Sequence, residues 1–413
     1  MFNSEGEITG LIDGETGTDT IDYANLSTSI VVNLQNSTPT QQGSATNLAG
    51  FNGIEAILGS SENDQIQAPN QNNTFTVTGT DAVTLNNISL NSFENLIGGN
   101  LNDLVVFANA TSAFNGLIDG GLGTLTLQGD EINYGQVRGV GGSLVIQPTT
   151  ANQTIAIGNA TEQPTSLDLS PLELSNILDG FSQITITSPT GAIGLLDTVT
   201  FNDPVLIQAP NSTVTTASPL NALIGVNNSS IAVQALNDIS LGNVTTNGSA
   251  LTITSQQGTV NTLDLNSSAI AQGGNIVVLG KVGINAGAIN SSSVGSGGNV
   301  TLDRSGTLWC NISMPKGGVD GGIGGTVDIT AGNFFRATDT FIDQTGVASS
   351  ISTAGVVGNG NITIRHEGNG IIPFIVGDSA VNGTTGALTG GSFSSGINRI
   401  SPRAEFLGEY FQG

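Results

Sequence analysis

The chain has 413 residues and a formal net charge of −24, from 8 Lys and Arg against 32 Asp and Glu. Nucleic acids and anionic membrane surfaces are bound mainly through Lys and Arg, so this balance excludes both as primary partners. Because 37% of the residues are hydrophobic and only 10% are charged, the acidity is not that of a disordered chain, and we expect the chain to fold.

The remaining composition favours β-structure. The polar residues are largely Asn, Ser, Thr and 58 Gly, a mixture that suits turns and strands and excludes an all-α fold. The single cysteine, Cys310, allows no intramolecular disulfide and no cysteine-rich metal cluster. No run of about 18 apolar residues predicts a membrane span, and the N-terminus lacks a signal-peptide pattern. We therefore expect a mature fragment or an expressed piece that does not insert into a membrane.

The first third of the chain is acidic and repetitive. It has fifteen Asp and Glu residues before its first basic residue, Arg138. The sequence GLIDG occurs at 10–14 and again at 116–120, and segment 55–66 recurs 39 residues later as 94–105. Repeats of this kind predict a solenoid in which each repeat stacks on the next, and two solenoid turns per repeat would explain the offset.

Gly and Asp recur at fixed positions ahead of an aliphatic residue in this acidic section. The matching residues are Gly14, Gly17 and Asp19, then Gly59 and Asp64, and then Gly98, Gly99 and Asp103. A fourth copy, at 120–127, has Leu125 at the aspartate position. These stretches resemble the calcium-binding nonapeptide of repeats-in-toxin proteins, and the resemblance implies calcium bound by Asp19, Asp64 and Asp103. Because these aspartates lie 45 and 39 residues apart, ordinary turn chemistry at solenoid corners is the alternative.

One segment in the middle of the chain predicts a helix. Ser170 followed by Pro171 and Glu173 matches a capping box with proline at the first helical position. The apolar residues that follow provide one buried face, and Gly180 can end the helix. We predict a short helix over about 170–179, acting as a cap or an inserted turn between two solenoid sections.

This helix divides the chain into sections. We predict an acidic N-terminal β-solenoid section at 1–164, a more regular β-solenoid section at 165–403, and a tail at 404–413 that resembles the remnant of a cleavable tag or is natural sequence. In the second section, short β-branched runs begin at 275, 299, 326 and 361, each after a glycine-rich entry. Their spacings of 24, 27 and 35 residues are typical of one solenoid turn.

Three segments carry a further pattern. They are ILDGFSQITITSP at 177–189, NDISLGNVTTN at 237–247, and 358–378, which begins GNGNITIRH and ends PFIVGD. These segments resemble the β-strand repeat regions of large cyanobacterial surface proteins related to filamentous haemagglutinin, over about 170–395. The resemblance implies an all-β, right-handed parallel β-helix, secretion to the extracellular space or cell surface, and a surface or adhesive role. The secretion domain and the effector domain of such proteins have no counterpart in this sequence, so we expect the chain to correspond to their stalk.

Two partners follow from this interpretation. The end strands of an open solenoid are unpaired, so we expect self-association end to end. A surface glycan or another cell-surface component is the second expected partner, and nucleic acid is excluded as a partner.

Catalytic signals are weak. A polysaccharide-degrading enzyme would need two converging carboxylates. The candidate pairs are Asp320 with Asp328, and Asp339 with Asp343. We expect His366 to face outward at a strand end, and Trp309 with Cys310 to pack in the solenoid wall rather than form a redox centre. The sequence therefore predicts a structural or adhesive protein that is not an enzyme, with a carbohydrate-binding or polysaccharide-degrading β-helix as the alternative.

Overall fold

The computed structural model describes residues 6–35, 37–38, 41–161, 163, 165–304, 308–313, 322–343 and 345–391, without the side chains of 304, 308–313 and 369. The chain is nearly all β, with 49% of residues in strands and 2% in helices, as the composition predicts. It forms two compact units, Met1–Ser188 and Pro189–Gly413. The predicted section boundary at 164/165 lies earlier in the chain and stays a prediction, and the tail at 404–413 lies outside the described residues.

Short strands make up the described part of the first unit. They are β1 (Ile8–Asp13), β2 (Thr20–Asp22), β3 (Val31–Asn33), β4 (Gly43–Ala45), β5 (Leu48–Asn52), β6 (Ala56–Leu58), β7 (Gln65–Gln67), β8 (Asn73–Gly79), β9 (Ala82–Leu85), β10 (Ile88–Asn91), β11 (Asn95–Ile97), β12 (Asp103–Phe107), β13 (Ala113–Asp119), β14 (Thr124–Gln128), β15 (Asn133–Arg138), β16 (Ser143–Gln147), β17 (Thr154–Ile157), β18 (Ser166–Leu169) and β19 (Gln183–Thr187).

Seventeen of these strands form two long ladders, and β17 and β18 pair with each other in parallel outside both. One has the order β1-β5-β4-β3-β7-β11-β13-β15 and the other β2-β6-β10-β9-β8-β12-β14-β16-β19. Most neighbours are parallel, and buried residues alternate with half-buried ones, as in β12 and β14. The parallel pattern is interrupted at β4 and β9, which pair antiparallel with their neighbours. Asn86 and Asn87 join β9 to β10 with φ angles of +49° and +72°, which suit a two-residue hairpin turn.

The 39-residue repeat does not correspond to two solenoid turns. Its matching strands are β6 and β11, which lie in different ladders, as do the matching strands β7 and β12. Two whole turns would have placed each pair in one ladder. The expectation is wrong because the hairpin of β8, β9 and β10 occupies part of the interval.

The predicted helix is confirmed as α1 (Pro171–Ser175). Its capping box is formed: the Glu173 N–H donates to Ser170 Oγ at 3.2 Å, and the Ser170 N–H donates to Glu173 Oε2 at 2.8 Å. The helix ends before the predicted residue 179 because Ile177 forms a parallel bridge to Val137 and is buried. Pairing with β15 thus replaces the last predicted helical turn.

The second unit contains the remaining strands. They are β20 (Ile193–Leu195), β21 (Val199–Phe201), β22 (Val205–Ala209), β23 (Val214–Thr216), β24 (Leu223–Gly225), β25 (Ile231–Ala235), β26 (Ile239–Leu241), β27 (Val244–Thr246), β28 (Leu251–Ser255), β29 (Thr259–Thr262), β30 (Leu265–Asn266), β31 (Ile276–Gly280), β32 (Gly283–Asn290), β33 (Val300–Arg304), β34 (Leu308–Ser313), β35 (Val327–Ala331), β36 (Phe335–Ala337), β37 (Phe341–Ile342), β38 (Ala348–Ser352), β39 (Ile362–His366), β40 (Ile375–Val376), β41 (Gly383–Thr384) and β42 (Ala387–Thr389). A 3-10 helix covers Gly368–Gly370.

Seven five-residue strands form an in-register parallel ladder in the second unit. Its order is β22-β25-β28-β31-β33-β35-β39. The predicted strand starts at 275, 299, 326 and 361 are confirmed, since Ile276 pairs with Val300, Val300 with Val327 and Val327 with Ile362. The spacing of one turn is therefore the spacing of the sequence repeat.

A column of aliphatic side chains runs along the inside of this ladder. Its members are Ile207, Val233, Ile253, Val278, Leu302, Ile329 and Ile364, each paired in register with the next and each at most 3% exposed. Burying such a side chain contributes about 1.5–3 kcal/mol, so the column is a main source of stability.

Shorter strands complete each turn of the second unit. β20, β23, β26 and β29 form one parallel ladder, and β21, β24, β27 and β30 form another, and both join the longer strand β32. Buried hydroxyls close the connecting loops: Ser267, Ser291 and Thr353 each donate from Oγ to the carbonyl oxygen seven residues later, at 2.7, 2.9 and 2.7 Å. These bonds satisfy glycine carbonyls inside the loops.

Candidate functional site in the Gly/Asp turns

The carboxylate of Asp64 is fully buried and serves as a hydrogen-bond acceptor for its own turn. Its Oδ1 accepts from the Ile30 N–H at 2.7 Å and from Ser60 Oγ at 2.9 Å, and its Oδ2 accepts from the Ser60 N–H. Both carboxylate oxygens therefore have protein donors. Hydrogen bonds within the protein thus already use both carboxylate oxygens of Asp64, and its part in a calcium site stays a prediction.

Asp103 opens β12 and is 2% exposed. Its Oδ1 accepts from the Asn73 backbone N–H at 3.0 Å and from Asn73 Nδ2 at 2.7 Å. Burial raises the pKa of Asp103 above its usual value, although hydrogen bonds from Asn73 and Gly99 oppose the shift. Asp103 thus links β12 by hydrogen bonds to β8, the preceding strand of the ladder.

Asp19 differs from the other two aspartates because its carboxylate accepts no hydrogen bond among the described residues, and its side chain is half-buried. Its backbone N–H donates to Glu55 Oε2 at 2.9 Å, as the Asp64 N–H donates to Glu94 Oε2 at 2.7 Å. Burial raises the pKa of Glu94. The backbone hydrogen bond from Asp64 lowers this pKa, whereas repulsion from the Asp64 carboxylate raises it. Asp19 therefore has the most solvent-accessible carboxylate of the three, whereas Asp103 Oδ2 is buried and has no hydrogen-bond partner among the described residues.

The glycines have a packing role in these turns. A Cβ on Gly59 would lie 2.6 Å from Asp64 Oδ2, and one on Gly98 would lie 2.1 Å from Asp103 Oδ2. In each case the side chain five residues later folds back over the glycine. Leu125 does the same above Gly120, where a Cβ would lie 2.6 Å from the leucine Cβ. The glycine spacing therefore indicates a tight turn in which either a carboxylate or an aliphatic side chain can pack over the glycine.

The three predicted aspartates are not brought together. Asp19 precedes β2 and Asp103 opens β12, both in one ladder, whereas Asp64 precedes β7 in the other. Within the described residues, no group of three or more His, Cys, Asp or Glu side chains is placed to hold a metal ion.

A larger network of hydrogen bonds surrounds the buried carboxylate of Asp343 in the second unit. Its Oδ1 accepts from the Thr345 N–H at 2.8 Å and the Val347 N–H at 3.0 Å, and its Oδ2 accepts from Thr389 Oγ1 at 2.5 Å. Burial would raise the pKa of Asp343, but these hydrogen bonds outweigh it and lower the pKa to about 2. Sequence reasoning nominated Asp343 for catalysis and missed this role; the Asp-x-Thr-x-Val turn pattern was the available signal.

The other nominated residues have separate partners or lie outside the described part of the chain. Asp328 forms an ion pair with Arg365, and its proposed companion Asp320 lies outside the described residues. The side chains of Trp309 and Cys310 also lie outside them. Asp339 contributes its backbone carbonyl, which accepts from Ser350 Oγ at 2.7 Å.

His366 is buried at 2% exposure, so the expectation that it faces outward is wrong. It occupies an inward position of β39, because buried and half-buried residues alternate along that strand. Its Nδ1 lies 3.2 Å from Asn382 Nδ2, and its ring centroid lies 5.8 Å from that of Phe374. Burial lowers the pKa of His366 to about 4, so the ring is neutral at physiological pH.

Comparison with known proteins identifies no relative. No family model, curated protein or solved structure matches the chain. Across the described ranges, no helix has both the length and the apolar character needed to cross a membrane.

Proposed function

We propose that the chain is a structural or adhesive segment of an extracellular, cell-surface protein, built as a right-handed parallel β-helix stalk. The in-register ladder of β22 to β39 carries this proposal, because such a ladder adds one strand per repeat and buries a continuous core. The right-handed path follows from the strong preference of crossover connections between parallel strands. The resemblance of 170–395 to haemagglutinin-related repeat regions supports the surface role.

End-to-end association is the mechanism by which such a stalk would extend. Strand β1 is an edge strand of the first unit in the described residues, and its side chains Ile8 and Leu11 are 39% and 51% exposed. Ile8 pairs in register with the buried Leu48, so it occupies a core position that one more strand would cover. Unpaired edges of this kind template pairing with another chain, and a head-to-tail contact that does not close produces fibres.

Light scattering over a range of concentrations tests this association. We expect the mass of the full chain to rise with concentration, and Leu11→Lys to suppress the rise, because a lysine on an edge strand opposes pairing. The matched control is Leu101→Lys, since Leu101 is 50% exposed but lies in a turn outside the strands. A full chain that stays monomeric at every concentration contradicts end-to-end association.

Calcium stabilisation belongs to the same proposal and rests on Asp19, whose carboxylate is open and lies in the acidic first unit. We expect calcium to raise the melting temperature relative to EDTA, and Asp19→Asn to abolish the difference. Asp64→Asn is the control, since its effect on stability should be independent of calcium. Identical melts in EDTA and in excess calcium contradict the calcium proposal.

A further inference from the structure

A cavity of about 370 Å³ lies on the first unit, beside the hairpin of β9 and β10. Four separate parts of the chain line it. They are the first strand connection with Leu34, Ser37, Thr38 and Gln42, the turn at Asn52 and Gly53, the residues Pro69 and Gln71, and the hairpin with Asn86 and Ile88. Its volume lies within the range of small-molecule sites, about 300–1,000 Å³.

The lining of this cavity is polar but uncharged. Amide and hydroxyl side chains predominate, from Ser37, Thr38, Gln42, Asn52, Gln71 and Asn86, and no charged residue is among the lining residues that the structure describes. The surrounding unit, residues 1–188, has nineteen Asp and Glu against one Arg. An uncharged cavity in so acidic a unit favours a neutral ligand.

Three of the lining amides are available to a ligand. The side chains of Asn52, Gln71 and Asn86 make no hydrogen bond to any described residue, and Gln71 and Asn86 are exposed. Gln42, by contrast, is fixed: its Nε2 donates to the Ile54 carbonyl at 2.9 Å and its Oε1 accepts from the Ile54 N–H at 3.0 Å. The cavity thus combines free amides with a rigid wall.

The rest of the lining is apolar. Leu34 and Ile88 are each only 3% exposed and form the base of the cavity, whereas Pro69 is half-buried and is the apolar side chain that a ligand could contact. The hairpin tip is held in place by the pairing of Ile88 with Leu85 in β9. A ligand in this cavity would therefore meet both carbon-rich surface and groups that donate and accept hydrogen bonds.

We propose that this cavity binds one or two residues of a neutral carbohydrate. Each amide offers a donor and an acceptor, which matches a sugar hydroxyl, and the half-buried Pro69 can contact the C–H face of the ring. Arg or Lys would favour a phosphate or sulfate, and carboxylates would favour a divalent cation, and neither type of side chain lines the cavity in the described residues. The inference rests on the adhesive part of the proposed function and names its ligand class, independently of end-to-end association.

Saturation-transfer difference NMR on the full chain tests the proposal with three neutral disaccharides, maltose, cellobiose and lactose, and with glucuronic acid as the charged comparison. We expect transfer to at least one neutral disaccharide and weaker transfer to glucuronic acid, which the acidic unit repels. No transfer to any of the three, or stronger transfer to glucuronic acid, overturns the proposal. Light scattering tests end-to-end association separately. Carbohydrate binding can therefore be disproved while association holds, and association can be disproved while binding holds.

A pair of variants ties the signal to the cavity. Asn86→Asp places a charge in the cavity, whereas Asn87→Asp places the same charge on the neighbouring residue, which does not line it. Both positions are exposed and have positive φ, which Asp tolerates, so folding should be equally unaffected. We expect Asn86→Asp to weaken transfer by about threefold to tenfold, the loss of one hydrogen bond, and Asn87→Asp to preserve it. Equal effects of the two variants overturn the proposal.

Discussion

The turn around Asp64 offers the sharpest test of how this fold is stabilised. Replacing Asp64 by Ala leaves three donors without an acceptor: the Ile30 N–H, the Ser60 N–H and the Ser60 hydroxyl. Each buried group left unsatisfied costs about 1–3 kcal/mol, so we expect a loss of about 3–6 kcal/mol after partial relaxation. That is a large part of the total stability of a typical domain, about 5–15 kcal/mol.

The conservative variant isolates the role of the charge. Asp64→Asn keeps one acceptor oxygen but sets an amide N–H against a buried N–H donor, for an expected loss of about 2 kcal/mol. Asp22→Ala is the matched control, because Asp22 is not buried and its Oδ1 accepts the Ala24 N–H at 2.8 Å in an exposed turn; we expect a loss below about 1 kcal/mol.

Urea unfolding followed by circular dichroism measures these differences as shifts of the transition midpoint. The measurements should be made in EDTA and again in calcium. Removal of a carboxylate that only accepts hydrogen bonds should destabilise the fold equally under both conditions. If the unfolding free energy of Asp64→Ala lies within about 1 kcal/mol of that of the unsubstituted chain, the hydrogen bonds to Asp64 do not stabilise the turn.

Two further predictions concern the second unit. Because the pKa of Asp343 is lowered to about 2, its contribution to stability is present above its unfolded pKa of about 3.8 and is lost as pH falls towards 2. Asp343→Asn should lower the melting temperature at pH 7 and make stability less dependent on pH below pH 4. An unchanged melting temperature would contradict a stabilising role for the hydrogen bonds to Asp343. Burial lowers the pKa of His366 to about 4, so the unfolded chain binds a proton at a higher pH than the folded chain, and stability should fall as pH drops from 6.5 to 4. In thermal melts, His366→Leu should remove this part of the pH dependence. If the melting temperature of His366→Leu changes with pH as that of the unsubstituted chain does, the prediction is wrong.

The regular part of the fold could be predicted from the sequence because its information is local. A strand of alternating burial and a glycine-rich entry recur at 275, 299, 326 and 361, and each copy pairs with the next in the structure. The capping box at Ser170 is equally local, since its partners lie three residues apart. In both cases the interacting groups are fixed by spacing along the chain.

Other features depended on residues far apart in sequence. The hairpin at Asn86 shifts the 39-residue repeat between ladders, and pairing of Ile177 with Val137 shortens the helix. His366 turned out to be buried because the register of β39 against β35 sets which face of the strand points inward. The local sign of this burial was the alternation of Ile362, Ile364 and His366 along β39, because residues two apart lie on the same face of a strand.

The amino-acid sequence by itself determined the class of the fold, the repeat spacing and the concentration of negative charge in the first unit. Tertiary structure decided what the aspartates do, because the donors that reach Asp64 come from Ile30 and Ser60, one distant and one near in the chain. It also assembled the uncharged cavity, whose lining comes from four segments between Leu34 and Ile88. A hydrogen bond or a cavity is defined by distances in space, which a linear pattern specifies only where its partners are close in sequence.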